Sequence, residues 1–381
     1  MTPISLRNSP LAPIYEKVAS GVRLDVADAL SLFGSTDLNA LGAVGSAMRR
    51  RKNGDRASYI LNAYINYSNY CILSCQFCAF SRKKRNGDGF ELTLDEIVAK
   101  AKAAVAQGAT ELHIVGGLHP SLPFSWYVEM IHALGQVEPR PSLKCFTAIE
   151  VLHFARLSRQ PVDQVLAQLK EAGLDSLTGG GAEIFDAEVR DRIARGKETA
   201  DEWLDVHRTW HRLGGRSTCT MLFGHVETLA QRVDHLSKLR ALQDETGGFT
   251  GFVALPYHPE NNGIPVDRAP SALDTLRTIA ASRAFLDNIP HVTAYWVGMG
   301  LRLAQVALSY GADDLHGTIQ EEHIFHMAGA STPQGQSEAA MVRAIREAGL
   351  VPVRRNTFYE VVGEAPHPAP APAESGVVAT A

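Results

Sequence analysis

Between about residue 59 and residue 319 the chain repeats one rhythm, a short apolar or β-branched run followed by a longer amphipathic stretch. No other feature restricts its fold as strongly. The short runs fall at residues 60–65, 112–115, 143–148, 176–177, 217–223, 249–255, 291–297 and 314–319. Runs of this length between turn residues read as strands. The stretches between them keep helical spacing. Thr93 and Glu96 form a capping box ahead of Leu94, Ile97, Val98, Ala101 and Val105, and Gly108 ends that helix. A second helix starts at Thr228 and stops at Gly247-Gly248, and others are expected at 162–172, 200–213, 272–286 and 301–308.

Eight strand candidates separated by helices imply a parallel sheet covered on both faces. Eight such units in roughly 260 residues suit the length of a closed barrel. The expected fold class is therefore α/β, a (βα)8 TIM-type barrel over residues 55–361. A doubly wound open sheet has the same periodicity. Residues 1–54 read as an N-terminal helical extension, with Ser35, Thr36 or Asp37 as a cap and Arg49-Arg50-Arg51-Lys52 as a helix end before Gly54. Residues 362–381 are rich in Pro and Ala and read as a disordered tail.

Composition removes several function classes. The formal charge is −4 and charged residues are 20%, which argues against a dedicated nucleic-acid binder. With 45% apolar residues, the chain can bury a large core. It has no apolar run long enough for a membrane span and no charged-then-apolar leader pattern at Met1 to Pro13, so the expectation is a cytoplasmic protein.

Three of the five cysteines, Cys71, Cys75 and Cys78, fall in one eight-residue stretch just after a predicted strand. An odd count in such a chain is not a disulfide framework. The spacing C-x3-C-x2-C admits a [4Fe–4S] cluster with one iron left open, a structural zinc completed by a distant His, or three buried thiols. Cys145 and Cys219 lie within predicted strands and read as core residues.

The cysteine motif resembles that of the radical S-adenosylmethionine (SAM) enzymes. The resemblance implies that the three cysteines hold a [4Fe–4S] cluster whose open iron is chelated by SAM, and that reduction cleaves SAM to methionine and a 5′-deoxyadenosyl radical. Phe77 matches the aromatic position against the adenine, and Gly116-Gly117 match the glycine pair that receives the methionine amino group. The segment 221–227 resembles the adenine and ribose region, which makes Glu227 a SAM contact; it could equally cap the helix from Thr228.

Further segments narrow the resemblance: 111–127 with Gly-Leu-His-Pro around His119, 179–185 with three glycines and Glu183, 242–249, Tyr257-His258-Pro259-Glu260-Asn261, 294–297 and 311–315. Together they resemble the aminofutalosine synthases over residues 15–361, with cyclic dehypoxanthinylfutalosine synthase and the deazaflavin-forming enzymes as near relatives. Thr178 stands where proline is expected before the glycines. The resemblance implies radical addition to 3-[(1-carboxyvinyl)oxy]benzoate, aryl migration, and loss of carboxylate as CO2 or bicarbonate, giving 6-amino-6-deoxyfutalosine for menaquinone. It makes Glu183 a cofactor contact and His119 and His258 substrate contacts. Thr147, Glu150, Arg190 and Trp296 are further candidates near strand ends. The partners implied are this small dianion and an electron donor such as flavodoxin or ferredoxin, with no nucleic acid and no membrane. The basic run Arg82-Lys83-Lys84-Arg85 could guide an acidic donor. The alternative from another class is a zinc-stabilised binding protein.

Overall fold

The computed structural model describes residues 6–364. Three helices, Ala12–Ser20, Val26–Gly34 and Leu38–Asn53, form the N-terminal extension. Asp37 is the cap of the third, its carboxylate accepting from Ala40 N at 3.0 Å. The basic run does end this helix, and Arg51 Nη1 donates back to Val18 O.

The strands are β1 (Arg56–Ile60), β2 (Asn62–Ile65), β3 (Glu111–Ile114), β4 (Ser142–Cys145), β5 (Ser176–Leu177), β6 (Arg216–Phe223), β7 (Phe249–Pro256), β8 (His291–Thr293), β9 (Asp314–Gly317), β10 (Val351–Arg355) and β11 (Val361–Glu364). From β2 through β9 each strand pairs in parallel with the next. β1 and β2 are one strand broken at Leu61. β9 pairs with β1, and beyond it Thr318 N donates to Ile60 O at 3.1 Å and Tyr64 N to Gln320 O at 3.2 Å. The curled sheet thus meets itself at the broken strand, in a TIM-type arrangement. The break also frees an edge of β1 for β10, which runs parallel to it, with β11 antiparallel outside.

β10 and β11 are additions to the expected eight strands. Val361–Glu364 is a strand, so the tail expected from residue 362 overlaps β11 by three residues; residues 365–381 lie outside the described residues. Two expected strands are also shorter than read. The run 143–148 turns into a helix at Ala148 because Thr147 and Glu150 form a capping box, and 291–297 stops at Thr293 before the short helix Trp296–Met299.

Alternation along the strands separates two environments. Leu112, Ile114, Leu143, Cys145, Leu177, Cys219 and Met221 are buried in the apolar core. The residues between them, including His113, Lys144, Thr218 and Thr220, line a cavity inside the barrel. Cys145 and Cys219 are core residues, as expected. Among the described residues no helix is long and apolar enough to cross a membrane.

Candidate active site

The chain leaves β2 into a long loop that carries Cys71, Cys75 and Cys78, all free and partly exposed. All three line one cavity of about 310 Å³ inside the barrel. Backbone bonds fix the loop to distant segments: Cys71 N to Arg82 O, Ile72 N to Leu118 O and Gln76 N to Ile193 O, at 2.9, 3.0 and 2.8 Å. Lys83 adds a cationic brace, its Nζ donating to the carbonyls of Cys71, Ile72 and Leu73 at 3.1, 2.9 and 2.6 Å. Within the basic run, Lys83 and Arg82 thus brace the loop, while Lys84 and Arg85 are exposed. Arg82 donates to Ala79 O and Ser81 O, and Lys84 pairs with Glu91 at 2.9 Å. Bonds from a charged donor are worth about 1.5–3 kcal/mol. Lys83→Met should accordingly speed iron loss from the reconstituted chain to a chelator by about tenfold or more. An unchanged rate would show that the brace does not hold the loop.

The glycine pair is explained by this loop. A Cβ at Gly117 would fall 2.3 Å from Tyr70 O and 3.1 Å from Cys71 Cβ, and one at Gly116 would fall 2.4 Å from the Tyr67 ring. Only glycine lets β3 approach the cysteine loop this closely. Gly116 N donates to Glu150 Oε1 at 3.1 Å and Gly117 N to Ser68 O at 2.8 Å, and both residues line the cavity. Glu150 does not line it. Its buried carboxylate gathers Tyr67 Oη, Gly116 N and Thr147 N and Oγ1, and so shapes the wall from behind.

Phe77 and Glu183 line the same cavity. Glu183 has φ +42° and forms a buried ion pair with Lys197, whose Nζ stands 5.1 Å from the Phe77 ring centroid. Burial opposes the Lys197 charge, but Glu183, Glu198 and Cys75 outweigh it and raise its pKa. Burial pushes the Glu198 carboxyl up to about 7 against Lys197 and Arg190. Burial likewise pushes the Cys75 thiol up to about 12, so metal binding there must displace a proton. His258 is on the wall too, with Nε2 donating to Gly298 O at 2.9 Å. Thr147 and Thr178 line it as well, and Thr178 Oγ1 bonds Phe146 O at 2.8 Å.

Two expected contacts stand elsewhere. His119 is fully buried and does not line the cavity. Its Nδ1 accepts from Ser121 N and Leu122 N, its Nε2 faces Glu91 Oε2 at 2.8 Å, and its carbonyl accepts from His153. Nδ1 thus holds the turn after Leu118, and Nε2 is taken up by Glu91. Glu227 also lies off the cavity and is not the helix cap either, since Thr228 and Gln231 make that capping box. Its carboxylate instead nets Gly224 N, His225 N and Arg232 Nε at 2.6, 2.9 and 2.9 Å. Of the further candidates, Arg190 grips the carbonyls of Ala182 and Glu198 from a buried position, and Trp296 is a core residue donating to Gly317 O.

Deeper in the barrel lies a layer not anticipated as functional: Tyr64, His113, Lys144 and His316. Tyr64, His113 and Lys144 are register partners on β2, β3 and β4. Tyr64 stacks on His113 at 4.4 Å and 17°, and its hydroxyl meets His316 Nε2 at 2.6 Å. Burial lowers His113 to about 3 and His316 to about 4, so both rings are neutral near pH 7. The available signal was a His or Lys at the centre of an otherwise apolar strand run.

The donor set can be tested against the possible metals. Among the described residues no group of three or more His, Cys, Asp or Glu is arranged to hold a single ion. A [4Fe–4S] cluster asks for something else, one thiolate per iron. Three cysteines spread along one braced loop at a cavity edge fit that need, with one iron left for a ligand in the cavity.

Residues 65–239 match the family described as the radical SAM superfamily, and residues 247–368 match the CofH/MqnC C-terminal region. The chain is 42% identical to aminodeoxyfutalosine synthase of Thermus thermophilus over 94% of its own length and 97% of that protein. It is 38% identical to cyclic dehypoxanthine futalosine synthase of Streptomyces coelicolor over 97% of its own length and 93% of the relative. Among solved structures, methylornithine synthase superposes with a TM-score of 0.72 at 18% identity, covering 90% of this chain and 97% of the other, and so shares its fold. With three cysteines on one cavity, a curled parallel barrel and end-to-end similarity, the chain belongs to the radical SAM superfamily, among the homologues of aminodeoxyfutalosine synthase.

Proposed function

We propose that the chain joins the 5′-deoxyadenosyl group of SAM to 3-[(1-carboxyvinyl)oxy]benzoate, with aryl migration and loss of carboxylate, giving 6-amino-6-deoxyfutalosine for menaquinone biosynthesis. The observation that carries this reading is one cavity in which three free thiols share a mainly apolar, ring-lined barrel interior with a few polar groups, in a chain collinear with aminodeoxyfutalosine synthase. Such an interior suits an aromatic dianion.

Cys71, Cys75 and Cys78 would hold the cluster, which when bound supplies the electron that opens the sulfonium bond of SAM. Phe77, Gly116, Gly117 and Glu183, which line the cavity, would contact SAM. Glu183 comes paired with Lys197, so an anion and a cation are offered side by side. His258 is on the wall for the substrate, among Leu255, Tyr257 and Phe325, whose apolar surface excludes water. Glu227 and His119 act at one remove, the first by fixing the loop after β6 and the second by fixing the turn behind Leu118. A small acidic electron carrier such as flavodoxin or ferredoxin, in the cytoplasm, completes the proposal.

Mass spectrometry tests it. The anaerobically reconstituted chain, given reductant, SAM and the enolpyruvyl benzoate, should form aminodeoxyfutalosine and methionine. Turnover instead of a preformed dehypoxanthine nucleoside, with release of 5′-deoxyadenosine, would assign the sibling cyclase reaction.

A further inference from the structure

Two polar groups in the barrel interior have no partner. Lys144 is 3% exposed, lines the cavity, and among the described residues has no acceptor within hydrogen-bonding or ion-pair distance. On the adjacent strand its register partner His113 presents Nδ1, buried and also without a partner. An unpaired buried ammonium is costly, and native structures seldom keep one without a use. The acidic groups nearby are already engaged. Glu111 accepts from Asn62 Nδ2 and Thr357 Oγ1, Asp314 from Arg355, and Glu322 from His326 and two backbone N–H groups. Glu111 is the strongest opposite charge acting on Lys144, but burial outweighs it and lowers the Lys144 pKa, and no acceptor stands within bonding distance of its nitrogen.

We infer that Lys144, with His113 Nδ1 beside it, is the seat for the carboxylate on the aromatic ring of the substrate. The inference rests on the reaction proposed above and adds an orientation to it. The enol double bond must reach the adenosyl carbon of SAM beside the cysteine loop. The ring carboxylate is the other end of the molecule, so it points down the barrel, where the strand residues Lys144 and His113 lie. The stacked pair Tyr64 and His113 provides a flat surface for the ring between the two ends. A buried ammonium with three donors and a neutral imidazole N–H matches a carboxylate, which accepts on both oxygens. Lys144 is thus a binding residue that sets which end of the substrate faces SAM.

Calorimetry on the full-length, cluster-loaded chain with SAM present tests this. The two titrants are 3-[(1-carboxyvinyl)oxy]benzoate and 2-phenoxyacrylate, which lacks only the ring carboxylate. The unaltered chain should prefer the first by roughly tenfold to hundredfold, the range for a charge-assisted bond. Lys144→Met should bring the ratio close to one while SAM affinity stays unchanged; Lys144→Gln replaces it if the methionine variant does not fold. A ratio near one in the unaltered chain, or a ratio that survives in the variant, overturns the inference. If the unaltered chain binds neither compound, the proposed reaction fails, and benzoate alone then decides. Benzoate binding abolished by Lys144→Met upholds the anion seat, whereas unchanged or absent benzoate binding overturns it.

Discussion

Cys75→Ala is expected to give a folded, colourless chain that neither cleaves SAM nor forms any adenosyl product. The unaltered chain should take up about four irons on reconstitution and turn brown. With one thiolate missing, the cluster loses a corner ligand, and turnover should fall below detection. The apo fold should survive, because Cys75 is only partly buried and the loop hangs from Lys83 and backbone bonds made by neighbouring residues. Its stability should change by no more than about 1 kcal/mol, as for most partly exposed positions. Circular dichroism, iron content and SAM cleavage read the three outcomes separately. A zinc-stabilised binding protein would behave otherwise: colourless before the substitution, and destabilised by it.

The largest stability effect is expected at the far end of the molecule. Arg355 on β10 and Asp314 on β9 form a fully buried two-pronged ion pair, with Nε to Oδ2 at 2.7 Å and Nη2 to Oδ1 at 3.2 Å. Ser58 of β1 and Thr293 of β8 donate to the same carboxylate at 2.7 and 2.9 Å. One carboxylate thus ties four strands across the seam where the sheet meets itself. Removing one partner of a buried pair leaves the other charge uncompensated and costs about 3–5 kcal/mol. Arg355→Met should lose that much in urea denaturation at pH 7. Burial works to raise the Asp314 pKa, but Arg355, His316 and Ser58 outweigh it and hold it at about 2, below the usual 3.8. Its contribution in the unaltered chain is therefore full above about pH 4 and lost as the pH falls toward 2. Without Arg355, burial prevails and the carboxyl takes up a proton more readily when folded. The deficit of the variant should then shrink as the pH falls from 7 to 4. A deficit independent of pH would place its cause in packing.

The barrel was legible because its outer face obeys one rule. Each of the eight expected runs overlaps a strand of the ring, since the apolar residues that face the helices are also the ones that mark a strand. β10 escaped because Pro352, Arg354 and Arg355 interrupt its apolar pattern; what places it is the broken strand at Leu61 and the buried ion pair, both long-range facts. The cysteine site was legible because its three ligands are local in sequence. His119 and Glu227 sit in segments that fit the family, but their side chains point into turns and not into the cavity, and spacing cannot distinguish a residue that touches a ligand from one that shapes the loop beside it. Lys144 and His113 are the reverse case. They lie in strands read as core, and their function depends on which face of the strand closes around the cavity, which only the assembled barrel defines.

The proposed reaction requires that the adenosyl group of SAM end in the product. The measurement is a single-turnover reaction of the reconstituted chain with SAM labelled in its ribose and with the enolpyruvyl benzoate, followed by chromatography of the label. Label should appear in aminodeoxyfutalosine, matched mole for mole by methionine, with no labelled 5′-deoxyadenosine. Label recovered as 5′-deoxyadenosine, with the enolpyruvyl benzoate untouched, would contradict it.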